Sequence, residues 1–298
     1  MFVLMVPPVF LLGPLAGLLL VSRPSTTREW FWLLASGTLL ALSLGQDGLA
    51  DGFVRSTGIF VAGAFVALSL ARLDGPFRRA VVATGLGTVT ALGMASYLGA
   101  GWNRIEQALA GSLREAFLAQ ARMADAAGLG SSVREALDGM ARNAGASAAF
   151  YPALLVLTAI AGCTLAWRWY HLLAARPVGP VGSRFREFRF SDQAIWLLVG
   201  ALAVSLLPIR GISIFGAPLG DWAGNLLVVM VALYVARGLA VFVAASARSP
   251  GRIVAVLGVV ALFLWPFAVG GLVLLGLADS WVDFRRRLES PPTGGLER

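Results

Sequence analysis

Solidly apolar runs, separated by short polar or basic loops, recur from one end of the chain to the other. They span residues 2–22, 30–45, 56–71, 80–102, 150–173, 191–207, 221–247 and 253–277. A bilayer core about 30 Å thick needs about 20 apolar residues in a helix. The pattern therefore predicts an all-α, polytopic membrane helix bundle of about eight hydrophobic segments. The runs do not alternate apolar with polar, which argues against a membrane barrel. Runs two and three are short for a full crossing and imply local thinning of the bilayer or snorkelling ends.

Punctuation refines this layout. The first run carries no basic start and no small-residue cleavage site, so it is expected to be a retained span. Within it, Pro7, Pro8 and Pro14 predict an irregular helix. Gly13 and Gly17 make a small-xxx-small step where another helix can approach closely. Ser191-Asp192 and Asp221 are expected to cap the sixth and seventh spans. In the last run, Trp265-Pro266 and Gly270-Gly271 predict a mid-run break, which leaves open either one crossing or a two-piece hairpin. Residues 291–298 are expected to be a disordered tail, and 1–290 a single membrane-embedded domain.

Residues 103–148 form the long polar segment. Ile105, Leu109, Leu113 and Phe117 recur every four positions, which predicts an amphipathic helix. Gly128 and Gly130 should break it, and Ser131-Ser132-x-x-Glu135 resembles a capping box opening a second helix to Met140. The segment either lies on the membrane as a connector or folds back as a lid.

Composition agrees. Hydrophobic residues are 58% of 298 positions and charged residues 13%, against roughly a quarter charged in soluble domains; mean hydropathy is +0.78. The net charge is +8 and every basic side chain is Arg. These Arg cluster at run ends, which fits contact with anionic lipid and forms no basic face for nucleic acid. Alternate loops at 22–29, 72–79, 168–190 and 247–252 hold 12 of the 24, whereas the short loops 46–55 and 208–220 hold only Arg55 and Arg210. The first set is therefore expected in the cytoplasm and 103–148 outside, in a bacterial cytoplasmic membrane.

Candidate chemistry is sparse. One Cys, Cys163, and one His, His171, exclude an internal disulfide, a two-histidine zinc motif and a catalytic triad. The absence of Lys removes a phosphate-binding P-loop and a Schiff base. No catalytic residue, metal ligand or cofactor is assigned, and the chain is expected not to be an enzyme. Asp279 and Asp283, with Arg286 and Arg287 beyond, suggest a solvated ion-pair network. Arg237 stands apart: it lies about 16 Å along a helix from Arg248, near mid-depth. A charge there costs at least about 2.5 kcal/mol, and no span offers an acid at its centre as a partner. Arg237 is expected either to tie broken-helix carbonyls or to meet a ligand. Asp221 and Asn225 share a face, with Asn225 bonding another helix or a solute, and Trp222 and Tyr234 add aromatic surface. Arg237, Asn225, Trp222 and Tyr234 are thus the candidate substrate-binding residues.

Asn225, Tyr234-x-x-Arg237-Gly238-Leu239-Ala240 and Leu275-Gly276-Leu277-x-Asp279-x-Trp281-x-x-Phe284-Arg285 together resemble the YybS-like family of bacterial multi-spanning membrane proteins, whose conserved domain has no assigned function. The resemblance implies a structural motif of Gly238, Gly276, Asp279, Trp281 and Arg285. It also implies a distant similarity to the substrate-binding S subunits of energy-coupling-factor transporters, and so, by analogy, a small-molecule pocket. Two functions follow as expectations. One is binding or transport of a small polar solute beside the seventh span. The other is a non-transporting scaffold that recruits membrane-protein partners.

Overall fold

The computed structural model describes residues 8–42, 48–71, 75–207, 212–214, 217–247, 258–261, 263–282 and 284. Among the described residues the structure is all-α apart from one short antiparallel pair, β1 (Ser213–Ile214) with β2 (Ala217–Pro218), in which Ser213 faces Pro218. The helices are α1 (Val9–Val21), α2 (Thr27–Leu42), α3 (Leu49–Leu70), α4 (Pro76–Tyr97), α5 (Trp102–Ala126), α6 (Ser131–Arg142), α7 (Ala144–Ala149), α8 (Tyr151–Leu173), α9 (Ile195–Leu206), α10 (Leu219–Ser246) and α11 (Trp265–Val282). Single 3₁₀ turns sit at Phe185–Glu187 and Asp192–Ala194. Among the described residues, α3, α4, α8, α10 and α11 are long and apolar enough to cross a membrane, while α1 and Asp192–Leu206 are apolar but shorter. Against the eight segments expected, the described residues thus hold five long apolar helices and two short ones. The run at 30–45 falls in α2, which opens on Thr27-Arg28-Glu29 and is described over 16 residues.

Several expected boundaries move. The third span is 22 residues long because the helix runs back through Arg55 and Asp51, which the sequence pattern had placed in a loop. No proline or paired glycine interrupts those residues, and an acid in a first turn complements the helix dipole. In the last run, helical residues 258–261 and 263 are followed by a turn at Leu264, so the expected break falls at Trp265-Pro266; α11 begins there with Pro266 in its first turn and continues unbroken through Gly270-Gly271. Proline fits a first turn, and a glycine pair held on both sides by helix need not end one. The expected boxes and caps also shift. Ser131 is the first residue of α6, with Gly130 in left-handed backbone (φ 83°) before it and no side-chain cap. Asp192 lies inside a 3₁₀ turn with no cap bond, and Asp221 lies inside the first turn of α10, not ahead of it.

The described chain divides into two compact units. The first is 1–182 with 208–225, and the second is 183–207 with 226–298. In the first, α1 is the hub, packed on α2, α3 and α8, while α4 packs on α3 and α8. Phe10, Leu15, Leu18, Leu19, Val61, Phe65 and Trp167 fill its core. A Cβ on Gly13 would meet Ala62 and one on Gly17 would meet Val66, so the expected small-residue step is where α3 lies on α1. Closer still, a Cβ on Gly162 of α8 would strike the Phe10 carbonyl at 2.5 Å. The long polar segment is α5 to α7. Ile105 and Leu109 enter the main core, while Phe117, Ala121 and Ala124 of α5 enclose Leu137 of α6 in a small second core. The apolar stripe of α6 is therefore met by α5.

Candidate functional site

The second unit contains a charged cluster built on a glycine crossing. On α10, Gly238 follows Arg237; on α11, Gly276 precedes Asp279 by one turn. A Cβ on Gly238 would overlap the Leu272 carbonyl, and one on Gly276 would overlap the Tyr234 carbonyl. Only glycine lets the two backbones touch there. This close approach brings the Arg237 side chain onto the end of α11. Its Nε donates to Asp279 Oδ2 at 2.9 Å and its Nη2 to the Asp279 carbonyl at 3.2 Å. Its Nη1 lies 2.8 Å from Asp192 Oδ1, in the turn that precedes α9. Arg237 and Asp279 are fully buried, whereas the Asp192 side chain is 55% exposed. The Phe190 ring lies 5.4 Å from the guanidinium carbon and packs edge-on against Tyr234 at 5.2 Å.

Three sequence expectations are corrected at this point. Arg237 does not lack acidic partners; it has two. Asp279 is buried and paired with Arg237, not part of a solvated network. Asp192 serves Arg237 and caps nothing. The physical reason is common to all three. An acid at the end of one element was judged against its own helix, although a 28-residue helix such as α10 is about 42 Å long, longer than the bilayer core. Nine residues separate Arg237 from Ser246 at the helix end, about 13 Å, so it can meet groups at the ends of neighbouring elements. The usable signal was Arg237 deep inside an apolar run, with Asp192 and Asp279 among the seven charged residues between positions 192 and 279. Asp283 and Arg285 lie outside the described residues, and Trp281 is exposed.

The other candidate residues lie in the first unit. Asn225 is buried. Its Oδ1 accepts from the Ala153 amide at 2.9 Å, and its Nδ2 donates to the Ala149 and Asp221 carbonyls at 2.8 and 2.9 Å. All three bonds serve the α7–α8 junction and the start of α10, so the interhelical alternative holds. The Ala153 amide is one of the orphan donors of a helix start, next to Pro152, and the asparagine satisfies it. Trp222 donates from Nε1 to the Ile214 carbonyl at 2.9 Å and packs on Trp102 at 5.5 Å. The structure thus brings Tyr234 and Arg237 together and gives Asn225 and Trp222 separate anchoring work.

One polar site went unread in the sequence. Glu29 Oε2 accepts from the Ser25 and Thr26 amides and the Thr26 hydroxyl at 2.8–2.9 Å. Its Oε1 accepts from the Ala175 amide at 2.8 Å. These bonds, the Ala175 amide first, hold its pKa down to about 2. Thr26-x-x-Glu29 is a capping box, and its spacing was there to be found.

A family model described as a predicted membrane protein matches residues 1–280. The chain belongs to this family, DUF2232. The match takes in both units and the whole Arg237 cluster, in keeping with the resemblance drawn from residues 225–285. No curated protein and no solved structure matches the chain.

Proposed function

We propose that this DUF2232 chain is a multi-pass protein of the bacterial cytoplasmic membrane, with its Arg-rich loops in the cytoplasm, that acts as a non-enzymatic, non-transporting scaffold for other membrane proteins. The observation that carries this is the state of Arg237. Its guanidinium is fully buried and already held by two carboxylates, so it has the character of a lock between elements and offers no free charge to a solute. Open small-residue surface supports the role: Gly85 and Gly93 on α4 have nothing within 4 Å of a built Cβ, leaving room for a neighbouring helix.

A second function, binding or moving a small polar solute, draws on Asp192. Its half-exposed carboxylate is an outward-facing edge of the cluster.

The two are separated on purified protein and in membranes. Removing one partner of a buried ion pair costs about 3–5 kcal/mol, whereas replacing the pair by apolar residues is often near neutral. A scaffold predicts that Arg237→Ala lowers the melting temperature sharply, and that Arg237→Met with Asp279→Leu restores most of it. It also predicts that a broad metabolite screen leaves wild-type melting unmoved, and that cross-linking in native membranes yields a discrete complex. A metabolite that raises wild-type melting and loses its effect in the Arg237→Met/Asp279→Leu protein overturns the scaffold in favour of solute binding.

A further inference from the structure

Residues 183–190 read Ser-Arg-Phe-Arg-Glu-Phe-Arg-Phe, with basic and aromatic side chains interleaved. In the structure the stretch is extended backbone around the single 3₁₀ turn at Phe185–Glu187, within the second unit. Arg184, Phe185, Arg186 and Arg189 are exposed. In sequence the stretch carries three Arg and one acid, Glu187, whose carboxylate lies 3.6 Å from Arg186 Nε. Phe185 and Phe188 stack at 6.1 Å with their planes 15° apart, and Phe188 meets Phe190 at 6.1 Å. Phe190 in turn touches Tyr234 and the Arg237 guanidinium. An aromatic ladder therefore runs from the exposed turn to the buried lock.

Two features choose the occupant. First, the stretch leads through Asp192–Ala194 straight into α9, an apolar helix with Trp196 72%, Leu197 55% and Leu206 75% exposed. Such a surface belongs in acyl chains, which sets residues 183–190 at headgroup level. Second, the charge is Arg, whose planar fork matches phosphate oxygens, while an exposed phenylalanine beside it gains by lying in the acyl boundary. We propose that residues 183–190 form a binding site for the phosphate of an anionic phospholipid headgroup. Arg184, Arg186 and Arg189 grip the phosphate and Phe185 rests on the chains. Through Phe188 and Phe190 the bound lipid holds the Asp192 turn against Arg237, so headgroup binding stabilises the lock.

The test uses the full chain in neutral detergent, with lipid added back and with bound lipid counted by native mass spectrometry. Phosphatidylglycerol is expected to bind and to raise the melting temperature by several degrees more than phosphatidylcholine does. The paired variant Arg184→Glu/Arg189→Glu is expected to bind phosphatidylglycerol on the order of tenfold more weakly and to lose the gain. Phe190→Ala is expected to keep the binding but lose most of the gain. Equal effects of the two lipids, or unchanged phosphatidylglycerol binding by the Arg184→Glu/Arg189→Glu protein, overturn the site. An equal gain from inorganic phosphate alone overturns the lipid assignment. If the paired variant does not fold, Arg184→Gln carries the same comparison on the counted lipid. A Phe190→Ala protein that keeps the full gain overturns the coupling to the lock.

Discussion

Glu29 accepts four hydrogen bonds from two distant parts of the chain, the turn before α2 and the segment that leaves α8. It is 2% exposed, and each bond favours the ionised form. Its pKa is therefore drawn from the ordinary 4.5 to about 2, with the Ala175 amide the largest cause. A depressed carboxylate pKa gives stability that is fully present above the unfolded value and is lost as pH falls through the folded one. Thermal melts of wild type are thus expected to hold above pH 4.5 and to decline between about 4.5 and 2. Glu29→Gln, which cannot ionise, is expected to melt lower at neutral pH and to show a flatter profile across that window. Equal slopes for the two proteins would mean that ionisation of Glu29 contributes nothing to the acid limb. Half of this residue's role was legible: the box lies within four residues, but the Ala175 bond spans 146 positions and left no local trace.

Among the elements, the α10–α11 pair depends on two glycines whose absent side chains let the backbones meet. Other glycines of α11 do no such work, since a Cβ on Gly270 or Gly271 meets nothing within 4 Å. That contrast makes a matched experiment. Gly276→Ala drives a methyl into the Tyr234 carbonyl, so the helices must part and the Arg237–Asp279 bond must stretch or break. A loss of several kcal/mol is expected, since an uncompensated buried charge alone costs about 3–5. Gly270→Ala, in open space, is expected to be neutral or to gain up to about 1 kcal/mol from helix propensity. Melting of the two proteins side by side checks this, and comparable losses would show that the crossing is not what Gly276 provides. The residues of this crossing were visible in the sequence as Arg237-Gly238 and Gly276-x-x-Asp279. Their pairing was not, because apolar periodicity places a helix face toward something without saying toward which partner.

At the scale of the whole chain, apolar run length located α8 and α10 to within two residues and α4 to within five, because a membrane span is a composition before it is a contact, whereas α3 starts seven residues before its run and α11 twelve residues into its run. Run length misjudged the ends, since helices continue through polar residues such as Asp51 and Arg55 where backbone hydrogen bonding gains and nothing breaks it. Sidedness is a separate matter, set by where the Arg sit. The loop after α8 holds Arg176, and the loop between α5 and α6, at the tip of the charge-balanced polar segment, holds Gly128 to Gly130. Between Ser131 and Arg176 the long apolar helix is α8, 23 residues and about 34 Å, enough to cross the core once. The two positions are therefore expected on opposite faces, with Arg176 inside. Cys163 is buried and is the single native thiol, so a Cys163→Ala background leaves no competing label. In that background, Ser131→Cys in intact spheroplasts is expected to react with a membrane-impermeant maleimide, and Arg176→Cys only after the membrane is opened. Both side chains are exposed, so silence would report sidedness and not burial. Labelling of Arg176→Cys in sealed cells with Ser131→Cys protected would invert the topology, and labelling of both from outside would mean that α8 does not cross.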